Sequence, residues 1–524
     1  MTDTTINVTD AVLTGTISDT NYTGKVDTAK FTGSVTYAAA PTDPPPIDPP
    51  PTQESGWTTF TASADTKKFY VSASGNDSND GLSEAKPKKT LAAGVAALRS
   101  GYPDWLLLKR GDVWTNQQLM LGKKGRSATE PMLIDAYGTG NRPRLDFVID
   151  EWTPAADFDN ADNVCVVSIE FYAYKRDPNN SAFASGSTSG ERSMATGINL
   201  RGSGSAFTME DCKISFYRHN FDCIGAYQTV KLRRCVILDC YDWHQPSSGN
   251  TEGVFFSYCK NGIMEECIMD SNGWVGKYTP ISMAHGGYFR QPNNQANGTT
   301  GPATMTGCFM SRNGGDNISL RRGGTCTKNF FTLTGTGFII GCNINDGEGS
   351  AYTVDGSIND NVVTRSKNVS GARSGHGIVL DSCKSPVRAE RNIVCNLHEE
   401  SRHTGGGSGA LWCQPVFIER CSGVNFVNNI IFDWPTDDNR GVYDMGGGNT
   451  TTPNQIDMNG DNAEYHFSDP KRTLAKYYKS IGGTESEIDC INAVRKQAKG
   501  NWNDKLTGKA VVNYFRAGFG LAPV

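Results

Sequence analysis

Residues 239–322 concentrate the side chains best suited to acid–base and anion chemistry: Asp239, Asp242, His244, Glu252, Asp270, His285, Arg290, Asp316, Arg321 and Arg322. Paired carboxylates can attack or protonate an acetal, and their separation decides which reaction they run. Glu252, in Thr251-Glu252-Gly253-Val254, is the carboxylate best placed for general acid or base work, with Asp270, His285 and Asp316 as its candidate partners. Asp239, Arg290, Arg321, Arg322 and Trp274 are candidate substrate-binding residues. Arg321-Arg322 beside Gly323-Gly324 could hold a carboxylate through a planar fork. Neighbours on a strand face opposite sides, so only one of the two can look into a groove. Trp243, Trp274, Tyr278, Tyr288 and Trp412 offer faces on which sugars stack. Plainer roles compete with each: turn carboxylates on exposed loops, a solvated strand end at Glu252, a structural His285 and surface ion pairs for the arginines.

No metal or cofactor is expected. Asn76-Asp77-Ser78-Asn79-Asp80-Gly81 lacks the spacing and closing Glu of an EF-hand, and turn chemistry accounts for it. No CxxC pair has zinc-like spacing.

The elements that must position these residues show in a repeat. Cys212, Cys235, Cys267, Cys308, Asn361, Asn392 and Asn429 can be aligned as anchors. Two places after them stand Ile214, Ile237, Met269, Met310, Val363, Val394 and Ile431. Three places before stand Met209, Leu232, Met264, Met305, Ile358, Ala389 and Phe426, and the two intervening residues are mostly polar. An apolar residue at −3 and again at 0 breaks strand alternation, so the chain turns a corner between them. Two short strands meeting at a bend, repeated in register, predict a right-handed parallel β-helix with a Cys/Asn ladder at that bend. The anchors are 23, 32, 41, 53, 31 and 37 residues apart, so loops are inserted into a minimal coil, and the longest gap holds an extra coil near Phe338-Ile339-Ile340-Gly341-Cys342. With coils about 4.8 Å apart, carboxylates one coil apart match a retaining pair, and two coils, at about 9–10 Å, approach an inverting pair. Asp239 and Asp270, four and three places past successive anchors, are candidate neighbours.

The predicted organisation is a β-rich module over 1–39, a Pro-rich linker over 40–66, the β-helix over 67–463 and a helical cap over 464–524. Leu13-Thr14-Gly15, Tyr22-Thr23-Gly24 and Phe31-Thr32-Gly33 recur every nine residues and read as three short strands. A helix is expected around 88–99 with Leu91, Val95 and Leu98 on one face. Asp469-Pro470 and the Thr484/Glu487 capping box mark helix starts, and these helices are expected over the open end of the stack.

Net charge is −5, with 20% charged residues and 58 glycines among 524, a composition without the basic footprint of a nucleic-acid binder. No apolar run is long enough to span a membrane. Met1-Thr2-Asp3-Thr4 opens without a basic or apolar leader, so no signal peptide is expected, and the fifteen cysteines are read as reduced thiols.

The segment FYVSASGNDSNDGLSEAKPKKTL with KRGDVW resembles the entry region of pectate-lyase-like right-handed β-helix proteins of bacteria and phages. TEGVFFSY, HGGYFRQ, NISLRRGGTCTKNFF and the closing NWNDKLTGKAVVNYFRAGFG extend that resemblance over roughly 67–524. The head, linker and β-helix together resemble the plan of bacteriophage tailspikes. That resemblance implies a homotrimeric virion protein assembled in the host cytoplasm, attached through residues 1–39 to tail or baseplate proteins, with host surface polysaccharide as ligand. Three readings stay open: a tailspike that binds or cuts glycan, a non-enzymatic structural or adhesive tail component, and a bacterial polysaccharide lyase. Gly375-His376-Gly377 and Gly315-Asp316-Asn317 are faintly similar to polygalacturonase motifs. Asn317 replaces an aspartate, the Arg-Ile-Lys element is absent, and sixty residues separate Asp316 from His376, so no roles transfer.

Overall fold

The computed structural model describes residues 12–18, 21–27, 56–149, 153–183, 195–242, 251–275, 285–290, 301–341, 356–367, 375–383, 387–399, 413–436 and 439–524. The chain divides into two compact units, 1–60 and 61–524. In the first, Val12–Ser18 and Asn21–Asp27 form an antiparallel hairpin that sets Gly15 opposite Gly24. These are two of the three expected strands; Phe31-Thr32-Gly33 lies outside the described residues.

The second unit is a right-handed parallel β-helix of three sheets, with 12, 12 and 11 strands among the described residues. One coil shows the path. Ser203–Glu210 lies in the first sheet, Lys213–Ser215 in the second and His219–Cys223 in the third, and Ala226–Arg233 starts the next coil in register on Ser203–Glu210.

The corner from the first sheet to the second rests on one left-handed residue in most coils. Asp211, Arg234, Glu266, Lys328, Asp360, Arg391 and Asn428, all one place before an anchor, have φ between 48° and 62°. A single left-handed residue resets the side-chain alternation, so apolar residues on both sides of the bend turn inward. A second set, including Phe216, Asp239, Ser271, Arg312, Leu333 and Arg365, turns the chain from the second sheet to the third.

The predicted ladder is present and continues to Asn454. Asn329, Asn361, Asn392, Asn429 and Asn454 pass amide hydrogen bonds from coil to coil at 2.9–3.1 Å. The thiols below them donate to interior carbonyls, as from Cys267 to Leu232 O at 3.3 Å. The extra coil exists, and Phe338–Gly341 is its third-sheet strand. Its anchor is Asn329, only 21 residues after Cys308 (329 − 308), shorter than the apparent minimal coil.

The helices form where expected, with shifted starts. α1 (Leu91–Ala97) places Leu91 and Leu98 in the interior core and so covers the first coil. Thr473 caps α2 (Leu474–Ser480), and Ser486, not Thr484, caps α3 (Glu487–Val494). Glu487 instead accepts from Thr332 and pairs with Arg365. α2, α3 and α4 (Gly508–Gly518) lie along the outer face of the second sheet, not over the open end as expected. The cause is one apolar column just after the anchors, Val236, Ile268, Phe309, Phe330, Val362, Ile393 and Ile430, which faces outward and is buried by Leu474, Ile491, Val511, Val512 and Phe515. Burying each such side chain contributes roughly 1.5–3 kcal/mol.

Candidate functional site

The outer face of the third sheet carries a polar column. His219, Glu252, His285 and Asp316 stand in register on successive coils. Each begins a strand of similar pattern, HNFDC, EGVFF, HGGYF and DNISL, in which the third and fifth residues mostly enter the core. By alternation the first residue would also point inward. It does not, because the chain bends at the second residue. The His285 ring stacks on Tyr288 (5.0 Å between centroids, 10° between planes), and His219 Nδ1 lies 2.8 Å from Asp222. A first residue and a fourth residue therefore share the outer face.

An asparagine ladder at this bend explains the sequence around the site. Asn220, Asn272, Asn313 and Asn317 hydrogen-bond in series at 2.7–3.1 Å inside the corner. A Cβ on Gly253 would fall 2.3 Å from Gly286 O and 2.9 Å from the Asn272 amide carbon. One on Gly286 would lie 2.4 Å from Asn317 O. The glycines after Glu252 and His285 thus give room to the ladder that turns those two side chains outward.

Glu252 is the unusual member. It is 1% exposed, and its Oε2 accepts no hydrogen bond among the described residues. Burial pushes its pKa well above the ordinary carboxyl range, Asp222 and Asp316 add to this, and Arg218 and Arg321 only partly oppose it. His285 Nδ1 is 3.1 Å from Asp316 Oδ2, close enough to attract but not aligned for a hydrogen bond. Glu252 and Asp316 stand two rungs apart with His285 between them, about 9–10 Å by strand spacing.

A second outward column lies beside the first: Asp222, Phe255, Tyr288 and Ser319. Phe255 and Tyr288 are half-buried and stack parallel at 5.8 Å. Arg290 and Arg321 continue the same two strands outward, and the Arg321 guanidinium stands 5.9 Å from the Tyr288 ring centre. Arg322 turns inward, as adjacency on a strand requires, and donates to Phe256 O (2.8 Å) and Cys259 O (2.5 Å).

The other candidates lie elsewhere. Asp239 and Asp270 are neighbours, as expected, but on the second sheet under the C-terminal helices. Arg495 bridges both, and Asp270 also takes Ser311 (2.6 Å) and Arg312 (2.9 Å). Burial raises the pKa of Asp239 despite Arg495. Asp270 is also buried, yet Arg312 and Arg495 overcome that burial and hold its carboxyl below the ordinary range. Trp274 pairs through its backbone with Tyr241, and nothing is described of its side chain. His244, Trp243, Tyr278 and Trp412 lie outside the described residues. Asp80 accepts the Leu82 N–H two residues on, which is turn chemistry, whereas Asp77 reaches across to the N–H groups of Lys89 and Thr90 at the start of α1. Among the described residues no His, Cys, Asp and Glu cluster could hold a metal ion, and no helix is long and apolar enough to cross a membrane.

Sequence reasoning missed His219, Asp222, Phe255 and Ser319. Aligning the third-sheet strands on their own apolar pairs would have found them. Asp316 bridges to Thr336, and the next rung carries His376, so the sixty-residue gap shrinks to two rungs.

No family model matches the sequence, and no curated protein matches it. Solved structures of similar fold include a GH136 lacto-N-biosidase from Eubacterium ramulus, at 14% identity and TM-score 0.41, covering 74% of this chain and 67% of that one. Pectate lyase Pel9A aligns at 14% identity and TM-score 0.36, covering 82% and 87%. A Dettilon tailspike protein aligns at 9% identity and TM-score 0.41, covering 74% and 68%. The fold itself rests on the strand register described above.

Proposed function

We propose that this chain is a tailspike-like protein that binds surface polysaccharide on the outer face of its third sheet and hydrolyses it there. The observation that carries this reading is Glu252, a buried carboxyl with no guanidinium partner among the described residues, two rungs from Asp316 and next to an aromatic pair. A carboxyl whose pKa is raised by burial holds its proton more tightly and can give it to a glycosidic oxygen. Asp316 then activates a water from the opposite side of the ring, and a spacing of about 9–10 Å suits inversion at the anomeric carbon. His285 stands beside Asp316, with Nδ1 3.1 Å from its Oδ2. Phe255 and Tyr288, half-buried and stacked on one another, supply an apolar edge for a sugar to lie against.

Attachment through residues 1–39 to tail proteins, trimerisation and a place in the virion belong to the same reading. A two-stranded hairpin cannot bury a core alone and calls for a partner surface. Sedimentation of the full chain tests the trimer.

The activity is tested by incubating the full chain with surface polysaccharides from a panel of bacteria, following reducing ends and absorbance near 235 nm. Reducing ends without absorbance support hydrolysis. Absorbance at 235 nm would mean elimination and a lyase. Glycan binding without products would replace the enzyme by an adhesive tail component.

A further inference from the structure

Away from the acid–base column, a buried guanidinium and two thiols meet where the third sheet turns into the first. Cys223 ends the strand His219–Cys223, Cys259 follows Glu252–Phe256, and Arg322 follows Asp316–Leu320. Both cysteines are free thiols and fully buried, and Arg322 is nearly so, while Ile224, Lys260 and Asn261 next to them in the chain are exposed. Arg322 Nη1 donates to Cys259 O (2.5 Å) and to Cys259 Sγ (3.8 Å), and Nη2 donates to Phe256 O (2.8 Å).

What this corner lacks is a carboxylate. Arg234, Arg472 and Arg516 are buried to a similar degree, and each pairs with an acid: Glu266, Asp469 and Asp360. Among the described residues Arg322 has no such pair, and its Nε has no acceptor. A guanidinium keeps its charge in a folded protein, and burying that charge without a counter-ion is costly. The ionisable group within its hydrogen-bond reach is the Cys259 thiol. The Cys223 thiol, which donates to Cys259 Sγ, and Arg322 hold the Cys259 thiol below the ordinary cysteine range, although burial opposes them. Cys223 moves the other way, because burial and the neighbouring Cys259 sulfur push its pKa well above that range.

We infer that Cys259 is a modification site, a thiolate with Arg322 as counter-ion that takes a small disulfide and passes it to Cys223. The Cys259 thiolate attacks one sulfur of the small disulfide, forms a mixed disulfide and releases one thiolate. Cys223 then gives up its proton and attacks Cys259 Sγ. That step closes a disulfide between adjacent coils and releases the second small thiol. The small disulfide is the oxidant and takes up both electrons. The new bond ties the strand of Asp222 to the strand of Glu252 and removes the negative charge that faces Arg322.

The test exposes the full chain, reduced and then freed of reductant, to hydroxyethyl disulfide near neutral pH, with peptide mass spectrometry as the readout. Cys326 is the internal reference, an equally buried thiol in the corner ladder with no guanidinium beside it. Cys259 should react about tenfold faster than Cys326 or more, and end as a Cys223–Cys259 cross-link. Cys223→Ser should leave the hydroxyethyl adduct on Cys259. Arg322→Gln, checked for unchanged melting, should slow Cys259 to the rate of Cys326, and Arg322→Lys should keep it fast. In urea the two thiols should react alike, which separates a property of the folded corner from exposure by unfolding. Cys259 reacting no faster than Cys326 in the wild-type chain would overturn the site without need of any variant. An adduct that persists on Cys259 in the wild type would overturn the role of Cys223, and an unslowed Arg322→Gln that of Arg322.

Discussion

Two outer faces of the same solenoid carry acidic residues in register, and they treat them in opposite ways. On the second sheet, Asp270 is wholly buried but surrounded by Arg312, Ser311 and Arg495, which stands at the end of α3. On the third, Glu252 is equally buried, yet its nearest charges include two further carboxylates and its Oε2 has no donor among the described residues. A buried carboxylate costs several kcal/mol unless paired. The second face meets that cost with arginines, whereas the third leaves it unmet, and the pKa of Glu252 is raised. Paired acids build the molecule, and an unpaired one is available for chemistry.

The contrast can be broken most directly at Glu252. Glu252→Gln removes the transferable proton and keeps the shape, so cleavage of a responsive glycan should fall about 10²–10⁴-fold, measured by reducing ends. Its melting temperature should stay or rise. Asp270→Ala should do the opposite: stability drops by about 3–5 kcal/mol as Arg495 and Arg312 lose their buried partner, read by urea unfolding, with glycan cleavage per folded molecule retained.

The two faces should also differ in the sign of their pH dependence. The raised Glu252 pKa means the folded chain holds a proton that the unfolded chain releases above about pH 4.5, so this contribution is full below that value and is lost as pH rises through the folded pKa. The lowered Asp270 pKa gives the reverse: its contribution is present above the unfolded value near 3.8 and lost as pH falls through the folded one. Unfolding curves across pH for wild type, Glu252→Gln and Asp270→Asn should separate these slopes. If both variants flatten the same limb, the contrast fails.

Smaller effects sharpen it. Asn361→Ala leaves Asn329 and Asn392 short of ladder partners and should cost about 1–3 kcal/mol of stability without changing kcat, since that corner serves neither face. Tyr288→Ala should weaken glycan binding by about 0.5–1.5 kcal/mol, seen in KM more than kcat.

How much was legible depended on whether a pattern recurs locally. The ladder from Cys212 to Asn429 could be read because each anchor sits at a fixed distance from apolar residues in its own two strands. Arg321 facing out and Arg322 facing in followed from strand alternation. The site column was harder. His219 lies 7 residues past Cys212 (219 − 212), but Glu252 lies 17 past Cys235 (252 − 235), because an insertion intervenes. Counting from the anchor therefore loses the third sheet wherever a loop enters.

The sequence by itself determined the parallel β-helix, its first corner and the helical C-terminus, because these follow from short-range alternation and turn residues. It also put Glu252, His285 and Asp316 on one list of reactive groups. Only the tertiary structure separated that list into two faces. Which carboxylate meets an arginine depends on Arg495, more than two hundred residues beyond Asp239 and Asp270, and on helices that cover one side of the solenoid instead of its end. Such long-range pairing leaves no local trace, because the electrostatic environment of a buried acid is set by what packs against it, not by its neighbours in the chain.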